Sequence, residues 1–438
     1  MANSISDIVK NLAKELLNRC NKSSIILEEI KDWKKTIQFK LGKDNQFHIT
    51  SNGENLEYRD IYEEGVSCTI RFKPEIALKF FKQDLIFIEA FLNNDFKIKG
   101  NFQDFMKLTT LMEFLEDEPT IITKKSKDEW LVGSPEDHGL KKSLLDEAAE
   151  KLKTLDINRN SFLIVRNGVL VYENYFSKKT DQIRKLIHYD VASVTKTFAA
   201  LVIGAAIKEG FISVNDSIHK WIPDAPKKIV PGSKILHLLT QTSETDPPGS
   251  NFRYNSGEEI DTLSKILTKA TGMPSKEFAK KFLSDKIGIE NYSWFKTFEI
   301  QDDIPVGWGL KITPSDAARL GQLILQKGNW KGTQIINEEY INNLMTPTFV
   351  ETNSGYGYLV WLNNDLGQWH RPFKSGIGKM MSNAPKDLIY ASGFFGRFII
   401  IIPSLNMVIV TFGKKFAYES LETIQEIYDV IEPALPKN

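Results

Sequence analysis

Between Phe198 and Ile207 ten consecutive residues, Phe-Ala-Ala-Leu-Val-Ile-Gly-Ala-Ala-Ile, carry no polar side chain. A helix of that composition has no face to offer to water, so the rest of the fold must bury it on most sides. The run falls well short of the ~18 apolar residues that a membrane helix needs, as does Phe398 to Ile402, so no transmembrane segment is expected. At roughly 150 residues per domain, a chain of 438 residues has room for two or three domains.

Lys and Arg total 56, as do Asp and Glu, and the formal charge is zero. No bulk field favours nucleic acid or an anionic lipid surface, so no nucleic-acid partner is expected. The first residues, Met1-Ala-Asn-Ser-Ile-Ser-Asp-Ile-Val-Lys, lack a basic stretch followed by an apolar core, and the expected location is cytoplasmic. Cys20 and Cys68 cannot form a disulfide framework, and the six histidines have no metal-ligand spacing, so neither a metal nor another cofactor is expected. His237, within an apolar run, is expected to satisfy its ring on a backbone group.

An apolar stripe from Ile5 to Leu17 predicts an amphipathic helix. Strands follow at Thr36 to Leu41, Gln46 to Thr50 and Ser67 to Phe72, then helices at Pro74 to Lys82 and Asn101 to Leu115, with Asp95-Phe-Lys-Ile-Lys-Gly as a spacer between them. Charge, Pro and Gly between Glu116 and Asp137 mark a boundary, which gives domains at 1–125 and 134–438. The second region opens with a helix at Lys141 to Thr154. Asn167-Gly168 then joins two β-rich runs as a type I′ hairpin, because both turn positions need positive φ. Strands at Arg397 to Ile402 and Asn406 to Thr411 precede a last helix, Tyr418 to Ile431. Strands at both ends of a helical middle predict one antiparallel sheet completed by both termini, plus a helical subdomain.

There is no Gly-x-Ser-x-Gly elbow, phosphate-binding loop, dinucleotide fingerprint or His-Glu-x-x-His. Ser-x-x-Lys occurs three times, at Ser193/Lys196, Ser217/Lys220 and Ser293/Lys296. Only Ser193 leads into the apolar helix, where free N–H groups and the positive dipole end could stabilise an oxyanion. Lys196 lies one turn on along the same face, and burial must lower its pKa before it can take the serine proton. The competing assignment is a helix-start serine and a surface lysine. Tyr254 precedes the helix predicted from Glu258 to Thr271. It is either a packing residue or a phenol that exchanges protons with a serine and a lysine.

With Tyr189-Asp-Val-Ala-Ser-Val-Thr-Lys-Thr-Phe198, Lys234-Ile-Leu-His-Leu-Leu-Thr-Gln-Thr-Ser, Tyr254-Asn-Ser256 and Gly309-Leu-Lys-Ile-Thr-Pro-Ser-Asp316 in this order, the chain from about Ser134 to Ala434 resembles the serine β-lactamase-like superfamily. Penicillin-binding proteins, class C β-lactamases, family VIII carboxylesterases and nylon-oligomer hydrolases belong to it. The resemblance implies a mixed α/β (α+β) fold, an antiparallel sheet flanked by helices with a helical subdomain. It implies Ser193, Lys196 and Tyr254 as catalytic residues, with Ser256, Ser392, Gly393 and Phe394 at the oxyanion or substrate site. Ala391-Ser392-Gly393 stands where the family has Lys-Thr-Gly, and Ser256 where it usually has Asn. The missing strand lysine removes a partner for a substrate carboxylate. The N-terminal region resembles a small α+β sterol-carrier-protein domain, which implies a lipid or fatty acyl ligand. Alternatively Phe87, Ile88, Phe91, Phe105, Met106 and Leu111 simply fill a core.

The expected function is a serine hydrolase acting on a small-molecule carboxylic ester or amide through an acyl-enzyme on Ser193. The alternatives are a D-amino-acid peptidase or β-lactamase, and an inactive lipid-binding or scaffold protein.

Overall fold

The computed structural model describes residues 4–42, 45–82, 90, 94–116, 129–155, 159–176, 185–255, 257–290, 292–294, 303–394, 396–413 and 420–436. The chain divides into two compact units, the first comprising 1–121 with the short pieces 177–187 and 414–416, the second comprising the remainder.

In the first unit five strands, β1 (Lys34–Leu41), β2 (Asn45–Asn52), β3 (Leu56–Arg59), β4 (Cys68–Phe72) and β5 (Phe96–Gly100), form one sheet in the order β3-β2-β1-β4-β5. Only the β1–β4 pair is parallel. Alternation along the strands sends Ile37, Phe39, Leu41, Phe47, Ile70 and Phe72 into the core, shared with the helices Ile5–Cys20, Pro74–Phe81 and Phe102–Glu116. Phe39 is the hub, with the rings of Phe47, Phe72, Phe80 and Phe81 at 5.0 to 6.4 Å. Phe105, Met106 and Leu111 are buried as expected of a core, whereas Phe87, Ile88 and Phe91 lie outside the described residues. The spacer read at 95–100 is instead strand β5. Its pairing with β4 runs from Phe72↔Phe96 to Cys68↔Gly100 and overrides the loop-like look of Lys-Ile-Lys-Gly.

The second unit is built on a six-stranded antiparallel sheet, in the order Trp361–Leu362, Ile389–Gly393, Arg397–Ile402, Met407–Phe412, Ser161–Arg166, Val169–Asn174. The last long strand pairs with the first, Met407↔Arg166 through Phe412↔Ser161, so both ends of the unit complete one sheet as the sequence predicts. Asn167 and Gly168 take φ of 54° and 79°, which is the I′ turn. Every residue of Arg397–Ile402 and of Met407–Phe412 is buried, which for alternating side chains means that both sheet faces are covered. The helix Pro314–Leu325, capped by Thr313 through a bond from Asp316 N–H, lies across this sheet. Gly321 brings the helix close, since a Cβ there would stand 2.6 Å from Val408 Cγ1 and 2.8 Å from Ile399 Cγ2. The Val194–Lys208 helix is buried from Val194 through Ala206. No helix among the described residues is long and apolar enough to cross a membrane.

This helix-on-sheet contact has a measurable consequence. Overpacking a core costs about 1–3 kcal/mol, offset in part by the roughly 1 kcal/mol that alanine gains over glycine in a helix. Both new contacts fall below 3.0 Å, which puts the cost in the upper part of that range, so Gly321→Ala should lower the unfolding free energy by a net of about 1–2 kcal/mol, read from urea denaturation. An unchanged or higher midpoint would show that the helix does not sit this close.

Candidate active site

Ser193 stands at the N-cap of the Val194–Lys208 helix, with φ −68° and ψ −5°. The turn that delivers it is tied down on both sides. Val191 N–H donates to Leu310 O at 3.0 Å and Ala192 N–H to the Asp190 carboxylate at 2.8 Å. The Thr195 hydroxyl donates to Ala192 O at 2.6 Å and accepts from Leu310 N–H at 3.2 Å. These bonds hold Ala192 at φ +46°, a left-handed conformation that costs a residue with a Cβ about 1–3 kcal/mol.

Lys196 is 1% exposed, and its Nζ lies 3.2 Å from Ser193 Oγ. Nζ also donates to Gly307 O at 2.8 Å and sits 4.6 Å from the centroid of the Tyr254 ring. Burial pushes its pKa down from 10.5 to about 7, against the opposing pull of the Asp261 carboxylate. Asp261, on the helix Glu258–Thr271, accepts from Val306 N–H at 2.6 Å and from Gly307 N–H. It thus fixes the turn whose carbonyl receives the lysine. Burial pushes the Asp261 carboxyl up from its usual range.

The half-buried Tyr254 lies on the loop before that helix, and Gln241 clamps the loop. Gln241 Oε1 accepts from Asn255 N–H at 2.5 Å, its Nε2 donates to Asn255 O at 3.3 Å, and its own carbonyl accepts from Arg253 N–H at 2.9 Å. The Asn255 amide in turn donates to Glu244. Trp361 stacks on the Tyr254 ring with centroids 5.6 Å apart.

Ser392 and Gly393 end the strand Ile389–Gly393, and the half-buried Phe394 follows in a turn. A Cβ on Gly393 would stand 2.3 Å from Val191 O, so the absent side chain is what lets this strand end approach the Ser193 turn. Ser256 lies outside the described residues. The structure therefore brings Ser193, Lys196 and Tyr254 together and sets Gly393 against the same turn. The other two Ser-x-x-Lys pairs differ. Lys220 is 60% exposed and pairs with Asp216, and Ser293 lies on the strand Tyr292–Trp294 while Lys296 is outside the described residues. His237 Nδ1 accepts from Lys234 N–H at 2.9 Å, the backbone partner expected of it. Asp261, Gly307, Trp361 and the clamp by Gln241 are not singled out by sequence reasoning. Gln241 alone left a signal there, inside the Lys234-to-Ser243 stretch.

A serine and a buried lysine of lowered pKa at a helix N-terminus, beside a tyrosine, on an antiparallel sheet with a helical subdomain, form the scaffold of a serine hydrolase family. The chain belongs to the beta-lactamase family, whose model matches residues 148–428. A second model, the SCP-2 sterol transfer family, matches residues 13–113. An uncharacterised protein of Alkalihalophilus pseudofirmus is 23% identical over 319 residues, covering 64% of this chain and 92% of its own length. A 6-aminohexanoate-dimer hydrolase of Paenarthrobacter ureafaciens is 19% identical, covering 49% of this chain and 65% of its own. Among solved structures, a family VIII carboxylesterase shares the fold at TM-score 0.53 with 12% identity, covering 70% of this chain and 99% of that one. A β-lactamase from Mycobacterium bovis does so at TM-score 0.51 with 16% identity, covering 66% and 100%.

Burial of Lys196 links the site to stability. Its folded pKa of about 7 lies below the 10.5 of an exposed lysine, so between those values the unfolded chain holds a proton that the folded chain has lost. Stability should therefore rise with pH across that window through this group. In Lys196→Met that contribution disappears, and the wild-type-minus-variant difference in unfolding free energy should climb from pH 7 to pH 10. A difference flat with pH would mean that the lysine keeps its ordinary pKa.

Proposed function

We propose that this member of the beta-lactamase family hydrolyses a neutral carboxylic ester or small amide through an acyl-enzyme on Ser193. The observation that carries this reading is the buried Lys196 Nζ, 3.2 Å from Ser193 Oγ, with a pKa lowered to about 7. A surface lysine beside a capping serine needs neither feature. In the proposed cycle Ser193 Oγ attacks the carbonyl carbon as its proton passes to neutral Lys196 or through Tyr254. The N–H groups of Ser193 and Phe394 take the developing oxyanion. The carbonyl reforms as the C–O or C–N bond breaks, and Tyr254 donates the proton to the leaving group. Water then releases the acyl group by the reverse transfers.

Ala391 supports a neutral substrate over a β-lactam or a peptide carboxylate, because a buried methyl stands where the family's carboxylate-binding lysine would be. Retention of Ser193, Lys196 and Tyr254 in one cluster speaks against an inactive scaffold, which requires none of them. For the N-terminal unit, read as a domain over 1–125 ahead of the hydrolase domain at 134–438, the family match supports a lipid or fatty acyl ligand. Its described interior is a packed array of rings, so it is the match, rather than a cavity, that supports this part.

A fluorophosphonate probe followed by peptide mapping tests the nucleophile. Label is expected on Ser193, and Ser193→Ala should lose label and ester hydrolysis while keeping its fold by circular dichroism. kcat/KM for a neutral ester should rise with an inflection near pH 7 as Lys196 loses its proton. Label on Ser217 or Ser293 would overturn the assignment.

The role of Tyr254 has its own test. Tyr254→Phe should slow alkyl esters and amides, which need a proton on the leaving group, more than activated aryl esters, which do not. Equal losses on both would remove Tyr254 from the acid role.

A further inference from the structure

The outer face of the five-stranded sheet carries a feature that the hydrolase chemistry does not use. Lys40 on β1 stands directly opposite Arg71 on β4, and Arg71 directly opposite Lys97 on β5. Three cationic side chains thus form one row across three adjacent strands, where like charges facing each other are destabilising. Two residues along the same face, the row Gln38, Thr69, Lys99 adds a fourth cation. Lys40, Thr69, Arg71, Lys97 and Lys99 line a groove of about 570 Å³.

The groove has a built wall. Tyr62 and Val66 line it from the segment between β3 and β4, and the Tyr62 ring lies 4.5 Å from Lys40 Nζ. Two bonds pin that segment to the sheet: Glu63 N–H donates to Gln38 Oε1 at 3.1 Å, and the Glu63 carboxylate lies 3.2 Å from His48 Nε2. Gln38 and His48 are themselves buried. Glu63 is the one carboxylate among the lining residues, and it faces His48. Lysines on an edge strand guard against edge-to-edge pairing, which would account for Lys97 and Lys99 on β5. It does not account for Lys40 and Arg71, which lie on interior strands, nor for a wall closing beside them.

We propose that this groove binds a soluble phosphate monoester, with the phosphate on the Lys40–Arg71–Lys97 row and the organic group against Tyr62 and Val66. A phosphate dianion offers up to two charges and three acceptor oxygens to three cations, one of them a guanidinium fork suited to two of those oxygens. A single carboxylate offers half the charge. The site is a groove walled on one side by Tyr62 and Val66, which suits one small molecule better than the flat face of a bilayer.

Isothermal titration of the full chain with phenyl phosphate tests this, with phenol as the neutral control. Saturable binding of one equivalent is expected, weakened by salt and absent for phenol. It should persist in Ser193→Ala, which separates the groove from the proposed nucleophile and its failure from that of the hydrolase reading. Arg71→Gln, at an exposed side chain, should weaken binding by about tenfold or more. The triple variant Lys40→Gln/Arg71→Gln/Lys97→Gln should abolish it while melting no lower than the wild type, because the like-charge row is relieved. No saturable binding, or binding that the triple variant retains, would overturn the proposal. So would phosphatidylcholine vesicles containing phosphatidic acid that bind more tightly than phenyl phosphate with the same dependence on Arg71, since the face would then be a membrane surface.

Discussion

A lysine ammonium taken out of water, in the first turn of a helix that is itself buried, is the constraint on which the catalytic unit rests. Burial disfavours the charged form, and the N-terminal end of a helix, its positive pole, is no place for a cation either. Lys196 is therefore pushed toward the neutral amine, beside the Ser193 hydroxyl. Among its neighbours, Ser193 comes from its own turn, Gly307 from the segment before Leu310, and the Tyr254 ring from the loop before Glu258. Each stretch carries its own anchor. Asp190 and Thr195 fix the serine turn, Asp261 fixes Gly307, and Gln241 fixes Tyr254. The anchors are polar groups acting on backbone, which is how loops hold a position that packing alone would leave loose.

What could be read from the sequence divides along the range of the interactions. The Asn167-Gly168 hairpin and the backbone partner of His237 each depend on residues within a few positions of one another, and each stands as expected. The apolar run at 198–207 was legible because its composition alone demands burial, and that demand separated Ser193 from Ser217 and Ser293. Strand β5 was not legible. Lys97 and Lys99 flank a single half-buried Ile98, and only pairing with β4 makes that pattern a strand. Asp261 and Trp361 were equally silent. One acts across 45 residues on Val306, and the other meets Tyr254 from the edge of the sheet, and nothing local marks either contact.

Charge illustrates the same division at the scale of the whole chain. Equal totals of 56 basic and 56 acidic residues exclude a large field, and they say nothing about local arrangement. Around Tyr254 the surroundings are aromatic: Phe252 lies 5.0 Å from Tyr356, Tyr356 lies 4.7 Å from Trp361, and Trp361 stacks on Tyr254 itself. Besides Lys196, a second cation meets this cluster: Arg371 is 7% exposed, lies 4.0 Å over the Trp361 ring and donates to Tyr390 Oη at 2.8 Å. Its guanidinium thus lies over an aromatic ring and donates to a phenol, so the ring cluster and the neighbouring strand hold this cation in place. On the outer face of the other sheet the strand register gathers like charges into one row. A formal charge of zero therefore says nothing of where charges gather, and only the strand register shows that Lys40, Arg71 and Lys97 share one row.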